Sequence, residues 1–169
     1  MNRNNNSVSI KLRSLTVDDY SKVLNWSKDD SFCSVNGWEK NRSPKELYKW
    51  WLSCVNNAAE DFIRLGIEFN EELIGYADLA CIKANSAELG IAIGESRLWG
   101  KGIGYLSAIS MIDYALNNLG ITDFNAETHD SNIRSRKMLE RIGFKEVSRM
   151  GSEAYLGIDT QLIQYRLTL

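Results

Sequence analysis

Three glycines fall within five positions of "RLWGKGIGYLSA": Gly100, Gly102 and Gly104. Glycine lets successive backbone N–H groups converge on one concavity without a Cβ in the way. A helix that starts there adds unpaired donors and the positive end of its dipole. Such a turn can hold a phosphate, or it can be only a tight connection, and spacing alone leaves both open. Two nucleotide-loop patterns do not fit. Lys101 is followed by Gly102 where a P-loop requires Ser or Thr, and a dinucleotide fingerprint needs its third glycine one residue beyond Gly104.

Other side chains nearby carry reactive groups. Glu88 precedes the turn in "AELGIAIG", and its neighbours on one strand face, Gly90, Ala92 and Gly94, are small enough to leave room for a substrate. Its carboxylate is a candidate general base, or else an ordinary solvated residue on a polar strand face. Ser135 falls on the apolar stripe of a later helix, either as a bonded core serine or as a group directed at a ligand. Asn132 suits the start of that helix. His129, the single histidine, invites a general-base role. Its position at a strand end before Asp130 reads better as a loop or sheet-edge residue, and Glu127 shares its strand face.

These groups need a scaffold, and the chain supplies one. Strand-like runs occupy residues 8–15, 62–69, 73–82, 87–94, 121–129, 144–150 and 160–169. Helical patterns occupy "TVDDYSKVLNWSKD", with Thr16 and Asp19 as a capping box, and "SPKELYKWWLSCV", with Ser43, Pro44 and Glu46 at its start. A third helix follows the glycines, with Ala108, Ile109, Ile112 and Leu116 as its stripe and Gly120 at its end. The fourth is "DSNIRSRKMLERIG". Residues 31–41 and 151–159 read as irregular connections. The expected fold is therefore α/β (α+β): a mixed, mostly antiparallel sheet of about seven strands with about four helices packed on it.

Composition narrows the classes. With 169 residues and no linker or repeat, residues 1–169 read as one domain, with residues 1–7 expected to be disordered. A net charge of −2 gives no electrostatic case for nucleic acid or an anionic membrane. No apolar run approaches the ~20 residues that span a bilayer. Cys33, Cys54 and Cys81 are odd in number and dispersed, so neither a disulfide framework nor a metal site is expected, and a reduced, cytoplasmic setting is.

The glycine turn and "SNIRSRKMLERIGF" together resemble the two signatures of the GNAT N-acetyltransferase superfamily. Gly102 and Gly104 match the small positions of its coenzyme A pyrophosphate loop, and Asn132 opens the second motif, which ends in Gly143-Phe144. Trp99 stands where Gln or Arg is usual, and Leu139 where many members carry a tyrosine that protonates the departing thiolate. Both departures resemble the branch of ribosomal-protein and polyamine N-acetyltransferases.

The resemblance implies transfer of an acetyl group from acetyl-CoA to a primary amine, on a protein N-terminus or a small molecule, with no metal. A CoA-binding regulatory module without turnover is the alternative. By the same resemblance Glu88 is the catalytic base and Ser135 meets the coenzyme sulfur. Trp99, Gly100, Lys101, Gly102, Ile103, Gly104 and Tyr105 cradle the pyrophosphate. The Ile91, Ala92 and Ile93 backbone and Asn132 hold the pantetheine arm. Trp38 and Tyr155 flank the acceptor side, and related proteins often form homodimers.

Overall fold

A computed structural model describes residues 9–169, so the expectation for the first seven residues lies outside the described part. Strand β1 (Ile10–Arg13) leads through a 3-10 turn into α1 (Tyr20–Trp26), α2 (Asp30–Asn36) and α3 (Pro44–Val55). The hairpin strands β2 (Ile63–Phe69), β3 (Glu72–Lys83) and β4 (Ser86–Ile93) follow. Then come α4 (Ile103–Leu119), β5 (Asp123–His129), α5 (Ile133–Ile142), β6 (Lys145–Ser148), β7 (Ser152–Tyr155) and β8 (Ile158–Thr168).

The eight strands join in the order β1-β2-β3-β4-β5-β8-β6, with β7 paired to β8. Every pairing is antiparallel except that of β4 with β5. One sheet face packs against α4 and α5 through Leu79, Leu89, Met111, Phe124, Leu139 and Ile163. The other face of the first four strands is covered by α1–α3 through Val23, Trp26, Phe32, Leu47, Trp51 and Tyr76. This is the expected mixed α/β architecture with one more helix and one more strand.

Both additions have local causes. In the stretch read as irregular, the Asp29 side chain accepts from Ser31 N–H (2.9 Å) and Phe32 N–H (3.1 Å), and Gly37 closes the turn at φ 64°. That start and stop make a seven-residue helix without a clear apolar period. In residues 151–159, Leu156 and Gly157 both take positive φ (53° and 79°) and join β7 to β8 in a two-residue hairpin turn. Leucine carries no signal for that conformation. The α4 stripe also differs: Met111 and Ala115 are buried with Ala108 and Ile112, while Leu116 is 37% exposed.

Ion pairs fasten the layers. Arg64 on β2 grips Asp78 on β3 with two bonds of 2.7 Å, and its guanidinium lies 4.2 Å from the Tyr76 ring centroid. Arg13 on β1 donates to Asp19 through Nη1 (2.9 Å) and Nη2 (2.8 Å), and to Glu68 through Nε (2.7 Å). Burial pushes the Asp19 carboxyl up, but the Arg13 guanidinium and the Thr16 N–H outweigh it and hold its pKa below the usual carboxylate range. A folded-state pKa below the unfolded value of about 3.9 stabilises the protein above that pH and less as the pH falls through the folded value. Asp19→Asn should therefore lose about 3 kcal/mol at neutral pH. Urea denaturation between pH 7 and 3 should show a shallower acid decline for the variant than for the wild type.

Candidate active-site cleft

Strands β4 and β5 pair only at Ser86, Ala87 and Glu88, opposite Asp123, Phe124 and Asn125. Beyond that register they part, although β4 runs on to Ile93 and β5 to His129. A cleft of about 840 Å³ fills the gap. Its walls come from β4, β5, the loop 99–104 and α5, and Val35 and Asn36 of α2 also reach it.

The exposed edge of β4 can be read from its ladder. Gly94 N–H donates to the Ile74 carbonyl on β3 at 2.7 Å. In an antiparallel pair alternate residues face the same partner, so Ala92 and Gly90 also turn their backbone groups toward β3. Ile91 and Ile93 therefore present theirs to the cleft. The Ile93 carbonyl already accepts a 2.8 Å bond from Trp99 Nε1. That leaves the Ile93 N–H and both Ile91 groups on the open edge. Ala92 differs from the expectation: its backbone serves β3 and its side chain is buried among α1–α3.

The glycine turn follows directly. Gly100 and Gly102 take φ of 76° and 81°, a region costly for other residues, and Gly102 caps α4. A Cβ on either would meet nothing within 4 Å, so backbone conformation, not crowding, requires glycine there. Gly104 differs, because a Cβ there would press on Met138 Sδ of α5 at 3.3 Å. Ile103 is buried in the core and Lys101 is exposed. Trp99 and Tyr105 line the cleft under two guanidinium groups of α5. Arg134 sits 4.5 Å from the Trp99 ring, and Arg141 sits 4.1 Å from the Tyr105 ring.

These arginines were missed as site residues. Their signal was the seven-residue spacing, two helical turns, which places them on one face with Lys137 between them in sequence.

At the start of α5 the Asn132 side chain accepts from the Ser135 N–H at 3.2 Å, so Asn132 is a helix cap and also lines the cleft. Ser135 lines it too. Its hydroxyl has no hydrogen-bond partner among the described residues, unlike that of Ser107, which bonds to the Ile103 carbonyl at 2.8 Å. Glu88 lies at the last paired register, exposed and facing the cleft, with no ion-pair partner among the described residues. Glu127 and Glu153 add carboxylates to the strand side of the cleft. The lining thus carries its anions on β4, β5 and β7, and its cations Arg134, Lys137 and Arg141 on α5.

Trp38 and Tyr155 do not line this cleft. Trp38 packs edge-on to Phe32 and Trp50 and donates to the Tyr76 hydroxyl at 3.2 Å. Tyr155 is buried against the His129 ring at 4.9 Å and borders a separate hollow at the β7–β8 turn. His129 does reach the cleft, with a buried Nδ1 that has no partner among the described residues.

The glycine turn thus opens a helix at the mouth of a split parallel pair. The acetyltransferase (GNAT) domain family matches residues 9–145, and the chain belongs to that family. It is 32% identical over 142 residues to an uncharacterised protein of Methanocaldococcus jannaschii, covering 83% of this chain and 29% of that one. It is 31% identical over 135 residues to human alpha/beta-tubulin-N-acetyltransferase 9, covering 79% of this chain and 58% of that one. The chain therefore spans less than two thirds of either relative.

Among solved structures, the ribosomal L7/L12 alpha-N-protein acetyltransferase with coenzyme A superposes with a TM-score of 0.82 at 18% identity, over 96% of both chains. Spermidine N-acetyltransferase of Vibrio cholerae, with CoA and spermine, gives 0.80 at 21% identity, over 94% of this chain and 95% of that one. At those identities the likeness is one of fold.

The turn's glycines make a distinguishing prediction. Gly102→Ala should cost about 1–2 kcal/mol through its backbone strain alone. Gly90→Ala, whose Cβ would make only an ordinary 3.5 Å contact with Asp78, should stay within about 0.5 kcal/mol of wild type in urea denaturation.

Proposed function

We propose that this chain transfers the acetyl group of acetyl-CoA to a primary amine by direct attack. The observation that carries the proposal is the split of β4 from β5 with the glycine turn at its end. Backbone N–H groups from Gly100 to Tyr105 and the helix dipole of α4 suit a pyrophosphate, and Arg134 and Arg141 extend the positive rim, with the exposed Lys101 on the same turn outside the cleft lining. The free groups of Ile91 and Ile93, and the Asn132 side chain, suit the amides of the pantetheine arm.

In this reading the residues divide the work. Glu88 takes the proton that the ammonium form of the acceptor must lose. The amine nitrogen then forms the new C–N bond, the C–S bond breaks, and the thiolate keeps the electron pair. The Ile91 N–H polarises the thioester carbonyl. Ser135 offers its hydroxyl to the departing sulfur. The second amine proton ends on the thiolate, and the proton on Glu88 returns to solvent.

The carboxylates Glu88, Glu127 and Glu153 favour a cationic acceptor, whether a protein N-terminus or a small polyamine. Tyr155 bears on this side through the His129 ring stacked on it, whereas Trp38 acts through the packing of α2. The three free cysteines fit a reducing, cytoplasmic setting. No described helix is long and apolar enough to cross a membrane. A homodimer belongs to the same proposal, supported by the exposed Met150, Leu156 and Ile158. Sedimentation should give a twofold mass, and a monomer at all concentrations would exclude it.

Thiol release from acetyl-CoA, measured against spermidine, peptides with free N-termini and an amino sugar, tests the activity. Release with one acceptor class supports the proposal and identifies the acceptor. Tight CoA binding with no release for any amine would make the chain a binding module instead. With an active acceptor, Glu88→Gln should lower kcat/KM about 100-fold near neutral pH. An unchanged pH–rate profile would remove Glu88 from the mechanism.

A further inference from the structure

The glycine turn is also held from the far side of the sheet. Trp26, the last residue of α1, is 1% exposed and lies directly on Gly94 at the end of β4. A Cβ on Gly94 would coincide with the indole atoms Cε2, Cδ2 and Nε1. The same indole donates from Nε1 to Glu95 Oε1 at 3.4 Å, and Glu95 Oε2 accepts from Arg97 Nε at 3.3 Å.

One step along the chain, the N-cap of α2 meets the same loop. The Ser96 hydroxyl, together with the Phe32 and Ser31 N–H groups, holds the Asp29 carboxyl below the usual carboxylate range against its burial. Residues 94 and 95 are therefore held by Trp26 at the end of α1 immediately before the turn begins. The other end of α2, at Val35 and Asn36, lines the cleft.

We propose that Trp26 is a positioning residue for the donor-binding loop: seated on Gly94 and bonded to Glu95, it sets the angle at which the loop leaves β4, and so sets affinity for coenzyme A. The inference rests on the reading of the turn as a pyrophosphate cradle. The indole touches neither substrate and acts through the backbone of residues 94–96. Glycine at 94 admits the ring against the main chain, and the ring in turn leaves the segment one path out of the sheet. Trp99 secures the same segment on the cleft side by its bond to the Ile93 carbonyl. Two indoles therefore hold the loop exit, Trp26 through Gly94 and Glu95 and Trp99 through the Ile93 carbonyl.

Isothermal titration with coenzyme A tests this on the full chain. Wild type is compared with Trp26→Phe, Glu95→Gln and Trp51→Phe. Trp51 is buried in the same helix layer, where its Nε1 donates to the Thr16 carbonyl at 3.1 Å and makes no hydrogen bond to residues 94–99. It controls for loss of an indole from that core.

Trp26→Phe should weaken CoA binding about tenfold and raise the KM for acetyl-CoA in proportion, with kcat nearly kept. Glu95→Gln, at a partly exposed site that need not disturb folding, should weaken binding about threefold. Trp51→Phe should lower the melting temperature but leave the CoA Kd within about twofold. Equal CoA affinity in wild type, Trp26→Phe and Glu95→Gln would overturn the inference. A parallel loss in Trp51→Phe would also overturn it, by reducing Trp26 to a stability effect. Failure of wild type to bind coenzyme A would instead overturn the reading of the turn.

Discussion

The structure turns on the parting of two parallel strands. When β4 leaves β5 after Glu88, the backbone groups of Ile91 and Ile93 lose the ladder partners that a continued sheet would give them. Unpaired backbone groups in an enclosed site are expensive, so the fold must supply other partners or keep the edge open to a ligand. It does both. Trp99 folds back to satisfy the Ile93 carbonyl, and the remaining groups face the cleft. The same tryptophan carries Arg134 on its ring, so one side chain closes a backbone debt and draws α5 toward the loop.

The two helix layers keep the split open from opposite faces. On one face α4 and α5 approach closely at Gly104 and Met138. On the other, the α1–α3 layer ends at Trp26, whose indole rests on the last residue before the loop. Neither layer fills the gap, because α1–α3 cover only the first half of the sheet. The second half presents Glu127 and its partner Gln164, bonded at 2.7 Å, without a helix above them. Charge follows this division. Helix α5 brings cations to the side where the loop offers N–H groups, and the strands bring carboxylates to the side left uncovered.

Much of this was legible in the sequence where a signal was local. Ser43, Pro44 and Glu46 marked the start of α3, and the Ser43 hydroxyl does accept from the Glu46 N–H. The alternation in residues 87–94 gave β4, and the glycine spacing marked the loop. Features decided by tertiary contact were not legible. Helix α2 has two good ends but no stripe, and a Leu-Gly turn does not advertise the β7–β8 hairpin. Trp38 and Tyr155 were placed by segment alone, and segments do not say which way a ring turns; one turned into the helix layer and the other onto His129. In the sequence Gly94 is a small strand residue that leaves room, and in the structure Trp26 fills that room. Only the pairing of a distant indole with that position distinguishes the two.

Leu139 bears on how little acid catalysis the proposed reaction needs. Its side chain packs among α4, β5 and β8 and lines the cleft, but a leucine offers no proton donor there. An alkoxide leaving group would make this a severe defect. A thiol with a pKa of about 8.5 leaves as a fairly stable thiolate and takes a proton afterwards. The harder demand is on the acceptor, because an ammonium with a pKa of roughly 8 to 10 is unreactive until it loses a proton. A cleft with three carboxylates on its strand side and an uncharged serine hydroxyl at the start of α5 suits the imbalance of the proposed reaction. In the proposed reaction the carboxylates would attract the cation and Glu88 would accept its proton, while Ser135 would give the sulfur an uncharged hydrogen-bond donor.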